Sequence, residues 1–128
     1  MNILLCTHSF VWWYDERHKL SPRAFAEISN RTNRVFLSVA SLWELQIKIQ
    51  INKFKFTDPL EIVVNEQIKT NGFQLLPVNF AHVLELGKLP FHHRDPFDRL
   101  LIAQANAEKM ILVSSDSKFS AYPVNVLW

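Results

Sequence analysis

Short apolar runs alternate with longer stretches of helical period along this 128-residue chain. The runs Asn2–Cys6, Arg34–Ser38, Phe73–Pro77 and Met110–Ser114, with a weaker one at Asn125–Trp128, predict strands. Ile3-Leu4-Leu5 and Ile111-Leu112-Val113 are continuously apolar, as in strands covered on both faces. Helix starts are legible between them. Ser21-Pro22 opens a helix reaching about Arg31, with Pro at the first helical position. Ser41-Leu42-Trp43-Glu44 has capping-box spacing and predicts a helix to about Ile51. Asp58-Pro59-Leu60-Glu61 and Asp95-Pro96-Phe97-Asp98 share one device: an acidic N-cap, Pro at N1 and an acid at N3. A shorter helix after Asn79 would carry Phe80, Val83 and Leu84 on one face. The alternation predicts one α/β domain with a mainly parallel sheet and helices on both sides. In such sheets the functional crevice lies beyond the carboxyl ends of the strands.

Composition narrows the function classes only a little. Apolar residues make up 48% and charged residues 20%, an ordinary globular balance. Two glycines leave no room for a Gly-rich phosphate loop, and a net charge of +2 permits a nucleic-acid partner without pointing to one. A single cysteine makes no internal disulfide. The apolar run Ile3–Trp13 is broken by Thr7, His8 and Ser9 and has no basic region before it, so neither a signal peptide nor a membrane span is expected. A cytoplasmic protein is the expectation.

Four acids fall at helix starts or strand ends: Glu44, Asp95, Asp98 and Asp116. Gathered in one crevice, they would repel one another unless a cation sat between them, and oxygen ligands favour Mg²⁺ or Mn²⁺. Such an ion would activate water and neutralise charge on a phosphodiester. A purely structural reading competes. Glu44 and Asp98 occupy N3 of plausible capping boxes, Asp95 is a good N-cap and Asp116 suits a turn. Spacing alone leaves both open.

The segments Leu4-Leu5-Cys6-Thr7-His8, Ser38-Val39-Ala40-Ser41-Leu42-Trp43-Glu44, His92 to Ala105 and Leu112-Val113-Ser114-Ser115-Asp116 resemble the VapC-type PIN-domain toxins in order and spacing. The run Arg94-Asp95-Pro96-Phe97-Asp98-Arg99 is the most specific, and Ala121-Tyr122-Pro123-Val124 resembles the family's last turn. The resemblance covers essentially the whole chain, a single PIN domain over 1–128. It implies a five-stranded, mainly parallel sheet sandwiched between helices. It further implies a Mg²⁺- or Mn²⁺-dependent endoribonuclease, a VapB-like antitoxin and a homodimer. On the matching positions, Glu44, Asp98 and Asp116 are the catalytic, metal-binding acids, and Asp95 is an additional, weaker one. Thr7 matches the hydroxyl residue beside the family's first acid, and Arg99 the basic residue next to the third, where phosphate can be contacted; with Ser115 they are the expected substrate-binding residues. Cys6 stands where the family has its first Asp. A thiol among carboxylates is hard to deprotonate, and Mg²⁺ prefers oxygen to sulfur, so weakened or altered metal use is expected. The alternative is a degenerate PIN domain that binds an antitoxin or RNA without cleaving.

Other residues carry blander expectations. His92 and His93 are adjacent, so their side chains point apart, and loop roles are preferred to zinc ligation. His8 is a candidate to line the crevice. Trp12, Trp13 and Trp43 read as core or interface residues. Lys48, Lys53 and Lys55 read as a solvated helix end, with an RNA- or antitoxin-facing edge as the alternative.

Overall fold

In a computed structural model, which describes residues 1–92 and 94–128, the chain forms a five-stranded sheet packed between helices. In chain order the elements are β1 (Asn2–Leu5), α1 (Thr7–Asp15), α2 (Pro22–Ser29), β2 (Arg34–Ser38), α3 (Val39–Gln50), α4 (Leu60–Asn71), β3 (Gln74–Leu76), α5 (Phe80–Leu86), α6 (Pro96–Glu108), β4 (Ile111–Val113) and β5 (Val126–Leu127). Single 3₁₀ turns lie at Arg17–Lys19 and Ser117–Ala121. The strand order is β3-β2-β1-β4-β5, and every described pairing is parallel.

β1 holds the centre because its side chains suit no other place. Ile3, Leu4 and Leu5 are all 0% exposed, and they split between two cores by the period of the strand. Ile3 and Leu5 join Phe10, Trp13, Ala24, Ile28 and Val63 on the face covered by α1, α2 and α4. Leu4 joins Leu101, Ile102, Ala105 and Leu112 on the face covered by α6. Burial of each such Leu, Ile or Phe stabilises the fold by about 1.5–3 kcal/mol. At one edge of the first core, Tyr14, Phe54 and Phe10 each meet Phe56 edge to face, which pins the connection after α3.

Three helix starts follow the sequence and two do not. Ser21 Oγ accepts from Ala24 N at 3.0 Å ahead of Pro22, and Asp95 Oδ1 accepts from Phe97 N at 2.9 Å ahead of Pro96. Asn79 and His82 form a reciprocal capping box at α5. The capping box at Ser41 does not form, because α3 begins three residues earlier. Ser38 is the N-cap there, accepting from Ala40 N at 3.1 Å. Ser41 is then interior to the helix and fully buried. Asp58 does not cap α4 either: Pro59 holds that position, and Asp58 instead accepts from the Tyr14 hydroxyl at 3.1 Å. Phe80, Val83 and Leu84 do share a face of α5, and it is exposed. No described helix is long and apolar enough to cross a membrane.

Candidate active site

The first crossover leaves β1 for β2 on one side, and the later chain returns to place β4 on the other. The connections leaving the neighbouring strands β1 and β4 therefore run in opposite directions from their carboxyl ends, the switch point at which open α/β sheets bind ligands. A cleft of about 90 Å³ opens there, lined by Cys6 and Thr7 after β1, Glu44 and Lys48 of α3, Asp95 and Asp98 at the start of α6, and Asp116 after β4. His8, Ser114, Ser115 and Phe119 complete it. The structure thus brings Cys6, Thr7, Glu44, Asp95, Asp98, Ser115 and Asp116 to one place. Arg99 is not among the lining residues: its guanidinium stacks over the Phe91 ring, 4.3 Å from the centroid.

Glu44 is the deepest of the acids, only 7% exposed. The early start of α3 places it in the second turn, so no capping role accounts for it. Both carboxylate oxygens are engaged. Oε1 accepts from the Thr7 hydroxyl at 2.7 Å, and Oε2 lies 3.0 Å from the Lys48 ammonium. Asp95 and Asp116 do serve as caps, Asp95 for α6 and Asp116 for the 3₁₀ turn through Lys118 N at 2.9 Å. An ammonium beside a buried carboxylate is the compensation such a charge requires.

Cys6 has a different task. Its Sγ caps α1, accepting from Ser9 N at 3.4 Å, and lies 3.2 Å from Ser9 Oγ. Ser9 has one hydroxyl proton and gives it to the Val113 carbonyl at 2.9 Å. The proton between Cys6 and Ser9 must therefore come from sulfur, so Cys6 is a protonated thiol donating to Ser9. Burial pushes the Cys6 thiol up from its ordinary range, and the charge of Asp98 acts in the same direction.

The remaining readings resolve simply. His8 lines the cleft, whereas His92 lies outside it, its backbone N–H donating to the Tyr122 hydroxyl at 3.1 Å. His93 lies outside the described residues. Trp13 is buried with its indole N–H on Gln67, and Trp12 packs against Trp128. Trp43 is 62% exposed and meets Phe97 edge to face, joining α3 to α6 beside the cleft. Sequence reasoning missed Ser9 and read Lys48 as a solvated helix end rather than as the partner of Glu44 in the cleft. Lys48 had a signal in its spacing four residues after Glu44; Ser9 had none.

The sequence pattern of the PIN domain family matches residues 3–125. The chain belongs to the PIN-domain family. Among solved structures, this PIN domain is similar to a chain of VapBC2 from Rickettsia felis bound to a DNA fragment from their promoter. The two are 18% identical, with 99% of this chain and 98% of that chain covered and a TM-score of 0.75. DNA-bound VapBC from Salmonella typhimurium gives a TM-score of 0.72 at 12% identity, covering 99% and 97%. VapBC-5 from Mycobacterium tuberculosis, a member of the VapBC family of toxin-antitoxin systems, gives 0.61 at 19%, covering 98% and 95%. At these identities the likeness is one of fold. No curated protein matches the chain in sequence.

PIN nucleases generally use a divalent metal ion, and the cleft offers donors for one. In kind they fit: Glu44, Asp95, Asp98 and Asp116 are hard carboxylates lining one cleft. In position they are not yet gathered. Among the described residues no three His, Cys, Asp or Glu side chains stand close enough together to hold an ion.

Proposed function

We propose that this PIN domain, taken as one unit over the whole chain, is an endoribonuclease toxin of a toxin–antitoxin pair. The observation that carries the proposal is the cleft at the β1/β4 switch point, lined by a buried glutamate and three aspartates on a fold shared with VapBC structures. Glu44, Asp98 and Asp116 would hold Mg²⁺ or Mn²⁺, with Asp95 in a lesser role. A bound ion would supply Lewis acidity toward the phosphodiester and lower the pKa of a water. The chain's own residues do the positioning. Thr7 fixes Glu44 through a 2.7 Å hydrogen bond, and Ser115 at the exposed rim can meet the substrate backbone. Arg99 would reach phosphate only by leaving Phe91. The partners on this reading are RNA, a VapB-like antitoxin and a second copy of the chain.

A second reading rests on Cys6. Its sulfur keeps its proton and caps α1, so the position contributes no charged ligand. That favours a PIN domain of reduced or absent cleavage that still captures an antitoxin or RNA. Cleavage of a mixed RNA pool with Mg²⁺, with Mn²⁺ and with chelator separates the two. Metal-dependent cutting that is lost in both Glu44→Gln and Asp98→Asn establishes the nuclease, and matched DNA left intact establishes the substrate class. Cutting by Cys6→Asp alone establishes the second reading.

A further inference from the structure

We infer that Lys48 is the built-in counter-ion of this cleft, holding Glu44 in the metal-free protein and competing with any divalent ion for its carboxylate. The inference rests on the metal-site reading of the cleft and adds a residue that this reading does not contain. Glu44 is buried, Thr7 occupies Oε1, and the Lys48 ammonium occupies Oε2 at 3.0 Å. A cation approaching Glu44 therefore finds no oxygen without a partner. Lys48 follows Glu44 by one helical turn, the order in which a Glu–Lys pair on a helix is most favourable. Among the described residues lining the cleft, Lys48 is the one with a fixed positive charge, beside the acids Glu44, Asp95, Asp98 and Asp116. Cys6 adds no negative charge, because hydrogen counting leaves its proton on sulfur. One ammonium consequently offsets a larger share of the acidic charge than it would beside a fifth carboxylate.

Lys48 also has somewhere to go. Its side chain is 38% exposed, and it borders a second groove whose wall is apolar at Ile47, Ile51, Pro96 and Phe97 and charged at Arg94 and Asp95. Swung toward that groove, the methylene stem would lie on apolar surface with the ammonium in water, as long cationic side chains do. The same motion would bare Oε2 of Glu44. Lys48 acts here as a positioning residue: it sets how readily the carboxylate accepts an ion.

The test is titration of Mn²⁺ alone against the full chain, with free Mn²⁺ read by electron paramagnetic resonance at low ionic strength. Removal of a unit positive charge within a few ångströms of a dication at a partly exposed site should tighten Mn²⁺ binding about ten-fold in Lys48→Met. Lys48→Arg keeps the charge and should stay within about two-fold of the parent on the same electrostatic argument. Adding Glu44→Gln to Lys48→Met should erase the gain. Unchanged or weaker binding in Lys48→Met, or a gain that survives loss of Glu44, overturns the inference while leaving the metal reading intact. Absence of binding in every protein at millimolar Mn²⁺ overturns both. The unaltered chain offers an independent readout that needs no variant. Saturating Mg²⁺ should shift the Lys48 ¹³Cε resonance and increase exchange of its ammonium protons, and a Mg²⁺-bound protein with Lys48 unmoved refutes the displacement.

Discussion

Replacement of Gln104 by leucine tests whether a buried hydrogen-bond network sets the helix that carries Glu44. Gln104 is 0% exposed and lies in the middle of α6. Its Oε1 accepts from Ser38 Oγ at 2.6 Å, and its Nε2 lies 3.3 Å from both the Pro77 carbonyl and His82 Nδ1. Ser38 is the last residue of β2 and the N-cap of α3, so one amide ties the carboxyl end of an interior strand to two helices. In Gln104→Leu the Ser38 proton loses its acceptor in a site with no exposure, which costs about 1–3 kcal/mol. The two 3.3 Å contacts are long and contribute about 0.5 kcal/mol, and leucine returns about 1 kcal/mol through its apolar burial. The net loss is about 1.5 kcal/mol, or about 6 °C in Tm for a domain of this size. Urea unfolding followed by tryptophan fluorescence measures it. A double-mutant cycle with Ser38→Ala should show coupling of about 1 kcal/mol. A single-variant loss below about 0.5 kcal/mol, or additivity within that margin, refutes the reasoning.

Other consequences are tested more briefly. Ser9→Ala removes the acceptor of the Cys6 proton, while Val113 O keeps its bond from Cys6 N at 3.1 Å; a loss of about 1 kcal/mol is expected in urea unfolding. The Cys6 thiol is buried and its acidity is lowered, so alkylation of the native chain at neutral pH should be at least about 100-fold slower than of the unfolded chain. Because its folded-state pKa is raised, this thiol contributes stability that is complete below the ordinary thiol range and is lost as pH rises through it. Unfolding midpoints measured from neutral to alkaline pH should therefore fall in the parent more than in Cys6→Ser. Gly72 ends α4 in the left-handed region at φ +69 with open space around its Cα, so Gly72→Ala costs conformational strain alone, about 1 kcal/mol in thermal unfolding.

The sequence determined the layers and marked the candidate acids. Continuous apolar runs such as Ile3-Leu4-Leu5, short and without helical period, suit strands covered on both faces, and here all three residues are buried. Pro22 and Pro96 marked helix starts because a fixed φ and a missing N–H are local properties, independent of the rest of the fold. Local signals failed where a distant group competed for the same atom. Asp58 is drawn off its cap by Tyr14, 44 residues away, and Ser38 takes the cap of α3 while bonding Gln104, 66 residues on. The acids were legible as candidates, since carboxylates at strand ends and helix starts stand out in any chain. That Glu44 is no cap, that Lys48 neutralises it, and that Cys6 keeps its proton for Ser9 were decided by tertiary structure alone. Each depends on which donor faces which acceptor across elements far apart in sequence, and a one-dimensional pattern carries no such distances.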